Sequence, residues 1–400
     1  MKAKFGYVFL GDICDLINGD RGKNYPSRED FIEDGIPFIN AGHIQHNNIE
    51  FTNMNYISEE KFRSLGSGKI KKNDILYCLR GSLGKHSLVN INEGAIASSL
   101  VIIRSKSNDI SPKYLNYHLD CNDVYKQQAR YNNGSSQPNL SAANVKQFKV
   151  YIPKYKIQLK IVNILDKVQS LIDKRKAQIE ALDELVKSRF IEMFGDPVLN
   201  SKGWKIKKLE SISLVGSSKR VFVDELVEKG IPFYRGTEIG SMSTGENIIP
   251  TLFITEEHYN SFKESTGVPR IGDLLMPSIC PDGRIWRVNT DNPFYFKDGR
   301  VLWIHLQNSD VDSIYLQYML REKFIRDYNK IASGTTFAEL KIFALKGIDI
   351  MMPPLELQNQ FADFVNQIDK LKFEMEKSLK ELEDNFNSLM QRAFKGELFN

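Results

Sequence analysis

The feature that most constrains the fold is an internal repeat with a period of about 200 residues. Ile36-Pro37-Phe38-Ile39-Asn40-Ala41-Gly42-His43-Ile44 returns as Ile231-Pro232-Phe233-Tyr234-Arg235-Gly236-Thr237-Glu238-Ile239, an offset of 195. Lys72-Asn73-Asp74-Ile75-Leu76 returns as Ile271-Gly272-Asp273-Leu274-Leu275, an offset of 199. Tyr131-Asn132-Asn133-Gly134-Ser135-Ser136 returns as Ile331-Ala332-Ser333-Gly334-Thr335-Thr336, an offset of 200. Pro153 and Pro353, and Gln158 and Gln358, keep that last offset. A chain built this way folds as two related halves with their parts in one order.

Each half closes with a long helical stripe. In the first the apolar series is Ile161, Leu165, Val168, Ile172, Ile179, Leu182 and Val186, with Arg175 on the seam. In the second it is Phe361, Val365, Ile368, Met375, Leu379, Leu382, Phe386 and Leu389, with Lys372 on the seam. Steps alternating four and three are the heptad rhythm of a coiled coil. Neither stretch holds Pro or an interior Gly. Pro153 and Pro353 stand before the stripes, and Gly195 and Gly396 stand after them. About 39 residues at roughly 1.5 Å each predict rods of about 58 Å. Compact domains usually have neighbouring termini. The segment between the stripes therefore favours antiparallel helices, the second starting where the first stops, with a globular domain at either end. The lone cations Arg175 and Lys372 are expected to set register.

Residues 1–153 and 196–353 read as mixed α and β, so the fold class is α+β. The predicted layout is a globular domain over 1–153, a helix over 154–195, a second globular domain over 196–353 and a C-terminal helix over 354–400. Expected strands include Asp74–Leu79 and Ala97–Ile103, with Asp273–Pro277 and Arg300–His305 as their repeats; expected helices include Pro112–Gln128 and Ser313–Lys330. Loops with Gly, Ser and basic residues punctuate both halves. They are Asp20-Arg21-Gly22-Lys23, Arg80-Gly81-Ser82-Leu83-Gly84-Lys85, Ser217-Ser218-Lys219-Arg220 and Asp282-Gly283-Arg284. Backbone amides, hydroxyls and Arg or Lys in such loops are the groups that hold phosphates and read guanine edges. A single such loop is usually a solvated surface; recurrence in both halves is what gives these weight.

Enzyme signatures are missing. There is no Gly-x-x-x-x-Gly-Lys-Ser/Thr phosphate loop, no Gly-x-Gly-x-x-Gly and no Gly-x-Ser-x-Gly elbow. Asn292-Pro293-Phe294-Tyr295 resembles the adenine-clamping loop of amino-methyltransferases but lacks its second Pro and any Gly-rich cofactor loop, so a turn is the expectation. His43 and His46 have metal-compatible spacing without a third ligand. Cys14, Cys78, Cys121 and Cys280 form no Cys-x-x-Cys pair and are expected as buried thiols. Tyr77, Trp286 and Phe294 are expected in the core. The net charge of +4 permits nucleic-acid binding without demanding it. No apolar run approaches the length of a membrane span, and the start lacks a signal-peptide core, so a cytoplasmic protein is expected.

Two variable globular domains, each followed by a long helix, resemble the specificity subunits of type I restriction-modification systems. The junctions carry the resemblance: Gly134-Ser135-Ser136-Gln137-Pro138-Asn139-Leu140-Ser141 leading to Ile152-Pro153 and Gln158, and Gly334-Thr335-Thr336-Phe337 leading to Pro353-Pro354-Leu355-Glu356-Leu357-Gln358. The first junction departs from the pattern with Lys154 where the second has Pro354. The resemblance implies two target recognition domains, each reading half of a split double-stranded DNA site, and helices that set the spacer and dock two methyltransferase subunits. Those subunits would use S-adenosylmethionine, and restriction subunits would use ATP and magnesium; this chain would bind none of these cofactors and catalyse nothing. The DNA-binding residues expected are Arg21, Lys23, Lys72, Arg80, Ser82, Lys85, Ser135, Ser136 and Gln137 in the first domain. In the second they are Lys219, Arg220, Arg235, Arg284, Arg287, Thr335 and Thr336. The alternatives are the DNA-reading subunit of a type IIB-like enzyme and a coiled-coil scaffold with no DNA role.

Overall fold

Both long stripes are unbroken helices, Tyr155–Phe194 and Leu355–Phe394, in a computed structural model that describes residues 6–45, 47–132, 138–307, 310–334 and 338–399. Each helix stops at a glycine in the left-handed region, Gly195 at φ +79° and Gly396 at φ +77°, where a side chain would be strained. The chain divides into two units, Met1–Lys176 with Lys377–Asn400, and Ala177–Glu376. The division crosses both helices, so each unit holds one globular domain and a stretch of each helix.

In the first unit a four-stranded antiparallel sheet has the order Cys14–Asn18, Leu100–Ser105, Ile75–Cys78, His86–Leu88. Alternate residues of a strand face opposite sides. Ile75 and Tyr77 join the core made with Tyr114, Leu115, Ile161 and Phe394, while Leu76 and Cys78 join another with Ile39, Ile44 and Ile96. Both faces are covered, so the strand reads as a continuous apolar run. A second sheet has the order Ala95–Ile96, Ile36–Ile39, Asn55–Ile57, Phe31–Ile32, its first pair parallel. Gly6–Phe9 pairs antiparallel with Lys149–Ile152, which leads straight into the first long helix.

The second unit repeats this plan. Ser213–Gly216, Val301–Leu306, Leu274–Pro277 and Trp286–Arg287 form the antiparallel sheet, and Phe253–Ile254, Ile231–Tyr234 and Tyr295–Phe296 the other, its last pair parallel. Lys205–Lys208 pairs with Asp349–Met352. Leu274 and Met276 face one core and Leu275 another, as in the first half.

The repeated Asn-Asp and Gly-Asp motifs now have a cause. Asn73 at φ 72° and Gly272 at φ +90° turn the chain through the left-handed region before a central strand. The next residues, Asp74 and Asp273, are buried and accept the main-chain N–H of Lys71 at 2.7 Å and Arg270 at 3.0 Å. Arg104 donates to Asp74 from Nε at 2.8 Å and Nη2 at 2.7 Å; Trp303 donates to Asp273 at 2.7 Å. The motif is therefore a buried turn lock with different partners in each half.

The glutamines at the junctions are a second shared lock. Gln158 is fully buried; its Oε1 accepts the Ser111 N–H at 2.8 Å, and its Nε2 donates to the carbonyls of Asp109 at 3.0 Å and Pro153 at 2.8 Å. Gln358 makes the same three bonds to Asp312, Asp310 and Pro353 at 2.9, 3.1 and 2.9 Å. Each ties the start of a long helix to the start of a domain helix.

Helix packing is antiparallel within each unit. In the first, Ile161 and Leu165 share a core with Met390, Ala393 and Phe394, and Lys176 meets Glu383 at 2.8 Å. In the second, Phe190 and Phe194 pack edge to face against Phe361 with ring centroids 5.5 Å apart, and Lys372 donates to Asp183 at 2.8 Å. Of the seam residues Ile161, Leu165, Ile172, Leu182, Val186, Phe361, Val365 and Ile368 are buried. Val168, Ile179, Met375, Leu379, Leu382, Phe386 and Leu389 are half-buried.

Two element expectations change. The helix expected over Pro112–Gln128 is two helices, Pro112–Leu119 and Asn122–Tyr131, because the backbone turns extended at Cys121, φ -78° and ψ 150°; the Asp120 carboxylate at this break accepts from Asn47 at 2.7 Å and from Tyr125 at 3.2 Å and lies 3.5 Å from His86. The strand expected over Ala97–Ile103 starts instead at Leu100 and runs to Ser105, with residues 97–99 linking it to Ala95–Ile96 in the other sheet. No helix among the described residues is long and apolar enough to cross a membrane.

Candidate nucleic-acid interface

Strand register decides which of the expected residues share an edge. In the first unit Val101 opposes Asn18, and Leu100 opposes Cys78. The loops after Asn18 and Cys78 therefore leave the sheet on the same side, carrying Arg21 and Lys23 on one and Arg80, Ser82 and Lys85 on the other. The first loop is tied down by Asp20, whose oxygens accept the N–H groups of Gly22 and Gly66, each at 2.7 Å. Those backbone bonds hold its carboxyl below the usual aspartate range. The second loop is pinned by Leu79, whose N–H donates to Ser99 O at 2.8 Å and whose carbonyl accepts from Leu140 at 2.9 Å. Arg80 bridges to Asn139, so the chain flanking 133–137 joins this edge. Ser135, Ser136 and Gln137 lie outside the described residues.

Lys72 sits apart from this group. It is exposed on the turn before Ile75, at the far end of the strand that Arg80 follows. Among the described residues, no ion pair engages Arg21, Lys23, Lys72, Arg80 or Lys85.

The second unit builds its edge from equivalent ends. Gly216 opposes Trp303, and Pro277 opposes Val301. Ser217 and Ser218 serve the fold: their hydroxyls donate to the carbonyls of Val301 at 2.7 Å and Phe296 at 2.6 Å. Beyond them Arg220 pairs with Asp298 at 3.0 Å, and Lys219 lies 6.0 Å from the centre of the Phe262 ring. Arg284 pairs with Asp282 at 2.7 Å. Arg235 follows the strand Ile231–Tyr234 and pairs with Glu238 at 2.5 Å. Arg287 opposes Leu274 at the other end of the sheet, where its charge is felt by Tyr318 and Asp369, so it does not share this edge. Thr335 and Thr336 lie outside the described residues. Their flanks return to the edge, with Ser333 and Glu339 exchanging two backbone bonds and Leu340 donating to Ser278 O at 2.7 Å.

At this edge is a cavity of about 490 Å³ lined by Arg235, Thr237, Ser278, Ile279, Lys297 and Arg300. Lys297 and Arg300 are absent from the residues expected from sequence. Arg300 is expected there as the start of a strand, which begins instead at Val301. Lys297-Asp298-Gly299-Arg300 shares its Asp-Gly-Arg core with Asp282-Gly283-Arg284, and that loop signal points to both cations. Arg300 lies 3.6 Å from Glu339, and Lys297 3.5 Å from Asp298.

Other candidates resolve into structure. Phe294 and Tyr295 are buried, with Phe294 against Trp286 and Tyr234, so the Asn-Pro-Phe-Tyr segment is a turn into the core. His43 is buried, and its Nδ1 accepts the Asn40 N–H at 3.2 Å; His46 lies outside the described residues. No cluster among the described residues is arranged to hold a metal ion. All four cysteines are free and buried, and burial pushes their thiols up, to about 11 at Cys121 and about 12 at Cys14, Cys78 and Cys280.

A family model described as the type I restriction modification DNA specificity domain matches residues 3–181 and again 201–384. A Haemophilus influenzae protein, provisionally named as a type I restriction enzyme specificity subunit, is 26% identical over 243 residues; the match spans 60% of each chain. The type I restriction enzyme MjaVIII specificity subunit of Methanocaldococcus jannaschii is 24% identical over 351 residues, covering 82% of this chain and 80% of that one. A solved structure reported for assembly and conformational transition of the type I R-M system superposes over 100% of both chains with a TM-score of 0.65. At 17% identity that likeness speaks to the fold alone.

Proposed function

Because this chain belongs to the type I restriction-modification DNA specificity family, a family of DNA sequence recognition, we propose that each globular domain reads one half of a split DNA site. The observation that carries this is the duplicated edge. In both halves, glycine-bearing loops with basic side chains leave one end of the central sheet, beside the return of the chain at Asn139-Leu140 in the first and Glu339-Leu340 in the second. Backbone amides and cations in that setting suit a phosphate backbone and base edges.

The long helices set the distance between half-sites and dock two methyltransferase subunits. Exposed apolar side chains on them, Leu171 and Leu185 on the first and Leu371 and Phe373 on the second, are available for a partner to cover. The chain does no chemistry itself. S-adenosylmethionine, ATP and magnesium belong to the methyltransferase and restriction subunits, and the assembly works on cytoplasmic DNA.

Co-expression with a candidate methyltransferase subunit, followed by sequencing for methylated adenine, tests the reading. Methylation at one split motif that disappears when either partner is omitted supports it. Absence of both complex and DNA binding would favour a scaffold without a DNA role. A four-residue insertion in a helix adds about 6 Å, near two base pairs at roughly 3.4 Å each, and is expected to alter the spacer alone. An altered half-site with an unaltered spacer would count against the helices as a ruler.

A further inference from the structure

Arg235, on the cavity of the second domain, is held in one orientation. Its Nε donates to both oxygens of Glu238 at 3.2 Å, and its Nη2 donates to Oε1 at 2.5 Å. Glu238 is fixed in turn, accepting the main-chain N–H of Arg235 and the Thr237 hydroxyl, each at 2.9 Å. These bonds use one edge of the guanidinium. Among the described residues, no hydrogen bond uses Nη1, so the end formed by Nη1 and the second Nη2 hydrogen is left to a ligand.

A carboxylate brace separates two possible duties. An arginine that holds a phosphate works through its charge, and a carboxylate beside it offsets that charge and repels the phosphate. An arginine that reads guanine works through geometry, because O6 and N7 require two coplanar donors at a set spacing. Bracing weakens the first duty and serves the second. Arg300 and Lys297 across the same cavity have one long acidic contact each, and Lys297 also donates to the Val221 carbonyl at 3.4 Å; neither is clamped by a carboxylate as Arg235 is, which suits them to the backbone.

The first domain has a different group at this node. Asn40 follows Ile36–Ile39 as Arg235 follows Ile231–Tyr234, each strand pairing in parallel with its equivalent neighbour. His43 accepts the Asn40 N–H, the part Glu238 plays for Arg235. The Asn40 Oδ1 accepts the Gly42 N–H at 2.8 Å, which occupies one of its lone pairs, and an amide presents one donor group beside one acceptor where guanine O6 and N7 call for two donors.

We propose that Arg235, braced by Glu238, reads a guanine edge in the half-site bound by the second domain, and that the equivalent node of the first domain does not read one. This rests on the DNA-reading role proposed above. The test uses the full-length chain and a library of duplex DNA with a randomised interior, the bound molecules being sequenced. Wild type is expected to select a split consensus. Arg235→Lys is expected to lose one guanine position in one half, to leave the other half unchanged, and to bind the original site roughly fivefold to a hundredfold more weakly. Glu238→Gln should relax the same position, and Arg300→Gln should weaken all sequences alike. A wild-type consensus retained by Arg235→Lys, with affinity reduced evenly across the library, would overturn the guanine assignment while leaving DNA reading intact. A wild-type chain that selects no consensus would overturn DNA reading and this inference with it. Arg235 is exposed, so a melting curve checks folding; if Arg235→Lys fails to fold, Glu238→Gln decides on the same criteria.

Discussion

The two candidate edges come from one fold and differ in how they hold their cations. In the first domain Arg21, Lys23, Arg80 and Lys85 project from glycine loops, and no ion pair engages them among the described residues. In the second, Arg220, Arg235 and Arg284 each pair with an acidic neighbour at 3.0 Å or less, namely Asp298, Glu238 and Asp282, while Arg300 lies farther off, 3.6 Å from Glu339. Free cations offer charge and adaptability, which a phosphate backbone rewards at any sequence. Paired cations give up part of their field and keep a preferred direction, which rewards a particular base edge. A repeated scaffold can thus carry two different balances of affinity and selectivity without altering its sheets.

The comparison depends on each domain being fastened alike, and the buried glutamines test that first. Gln158→Leu or Gln358→Leu would leave an N–H and two carbonyls without partners, at about 1–3 kcal/mol for each group left unsatisfied. Each substitution is expected to lower stability by roughly 3 kcal/mol or more, read as a shift in the urea midpoint. A large loss for one and none for the other would show that the two junctions are not equivalent.

The next effect separates charge from geometry. Replacing Arg21 or Arg80 with Ala should reduce the salt slope of DNA binding by about 1 for each phosphate that is no longer neutralised, with no change in sequence preference. Glu238→Gln should move the slope far less than it moves the preference. Titrating binding against salt with each variant measures this, and equal slope changes in the two domains would erase the distinction.

A smaller contrast lies in how the units respond to pH. The buried histidines His43, His86 and His118 all belong to the first unit, and the second buries none among its described residues. Burial opposes the charge on His86, but the Asp120 carboxylate outweighs it and raises the imidazole above its ordinary range. Its contribution is complete below that range and is lost as pH rises through the raised value. His118 is buried, its Nε2 accepts the Tyr151 N–H at 2.8 Å and no carboxylate pairs with it among the described residues; burial holds it down to about 4, so its contribution is complete above the ordinary imidazole range and is lost as pH falls towards that value. Hydrogen exchange of the two units from about pH 4 to about pH 8 should show both losses in the first unit only. His86→Gln should remove the alkaline-side loss and keep the acid-side one; persistence of the alkaline loss would assign it to another group.

Much of the architecture was legible because it rests on repetition and period. The heptad stripes mark helices whose bounds, Tyr155–Phe194 and Leu355–Phe394, lie within a residue or two of their Pro and Gly punctuation. The helix break after Leu119 had a local signal that apolar periodicity passes over, the run Asp120-Cys121-Asn122-Asp123 of poor helix formers; what no local pattern shows is the bond from Asn47, more than seventy residues earlier, that holds the Asp120 carboxylate. Lys72 illustrates a different limit. Its motif recurs because the turn needs a left-handed residue followed by a buried Asp, and repetition alone does not distinguish a structural lock from a binding loop.

The sequence by itself determined the two halves, the order of their elements, the length and ends of the long helices and the family resemblance. These depend on spacing along the chain, which a linear pattern records. Tertiary structure decided which basic loops share an edge, separating Arg80 from Lys72 and Arg235 from Arg287, and it brought Lys297 and Arg300 to the Arg235 cavity. It also decided that Arg235 is braced while Asn40 is spent on a cap. Strand register and side-chain partners set these outcomes, and both come from residues distant in the chain whose meeting no local pattern encodes.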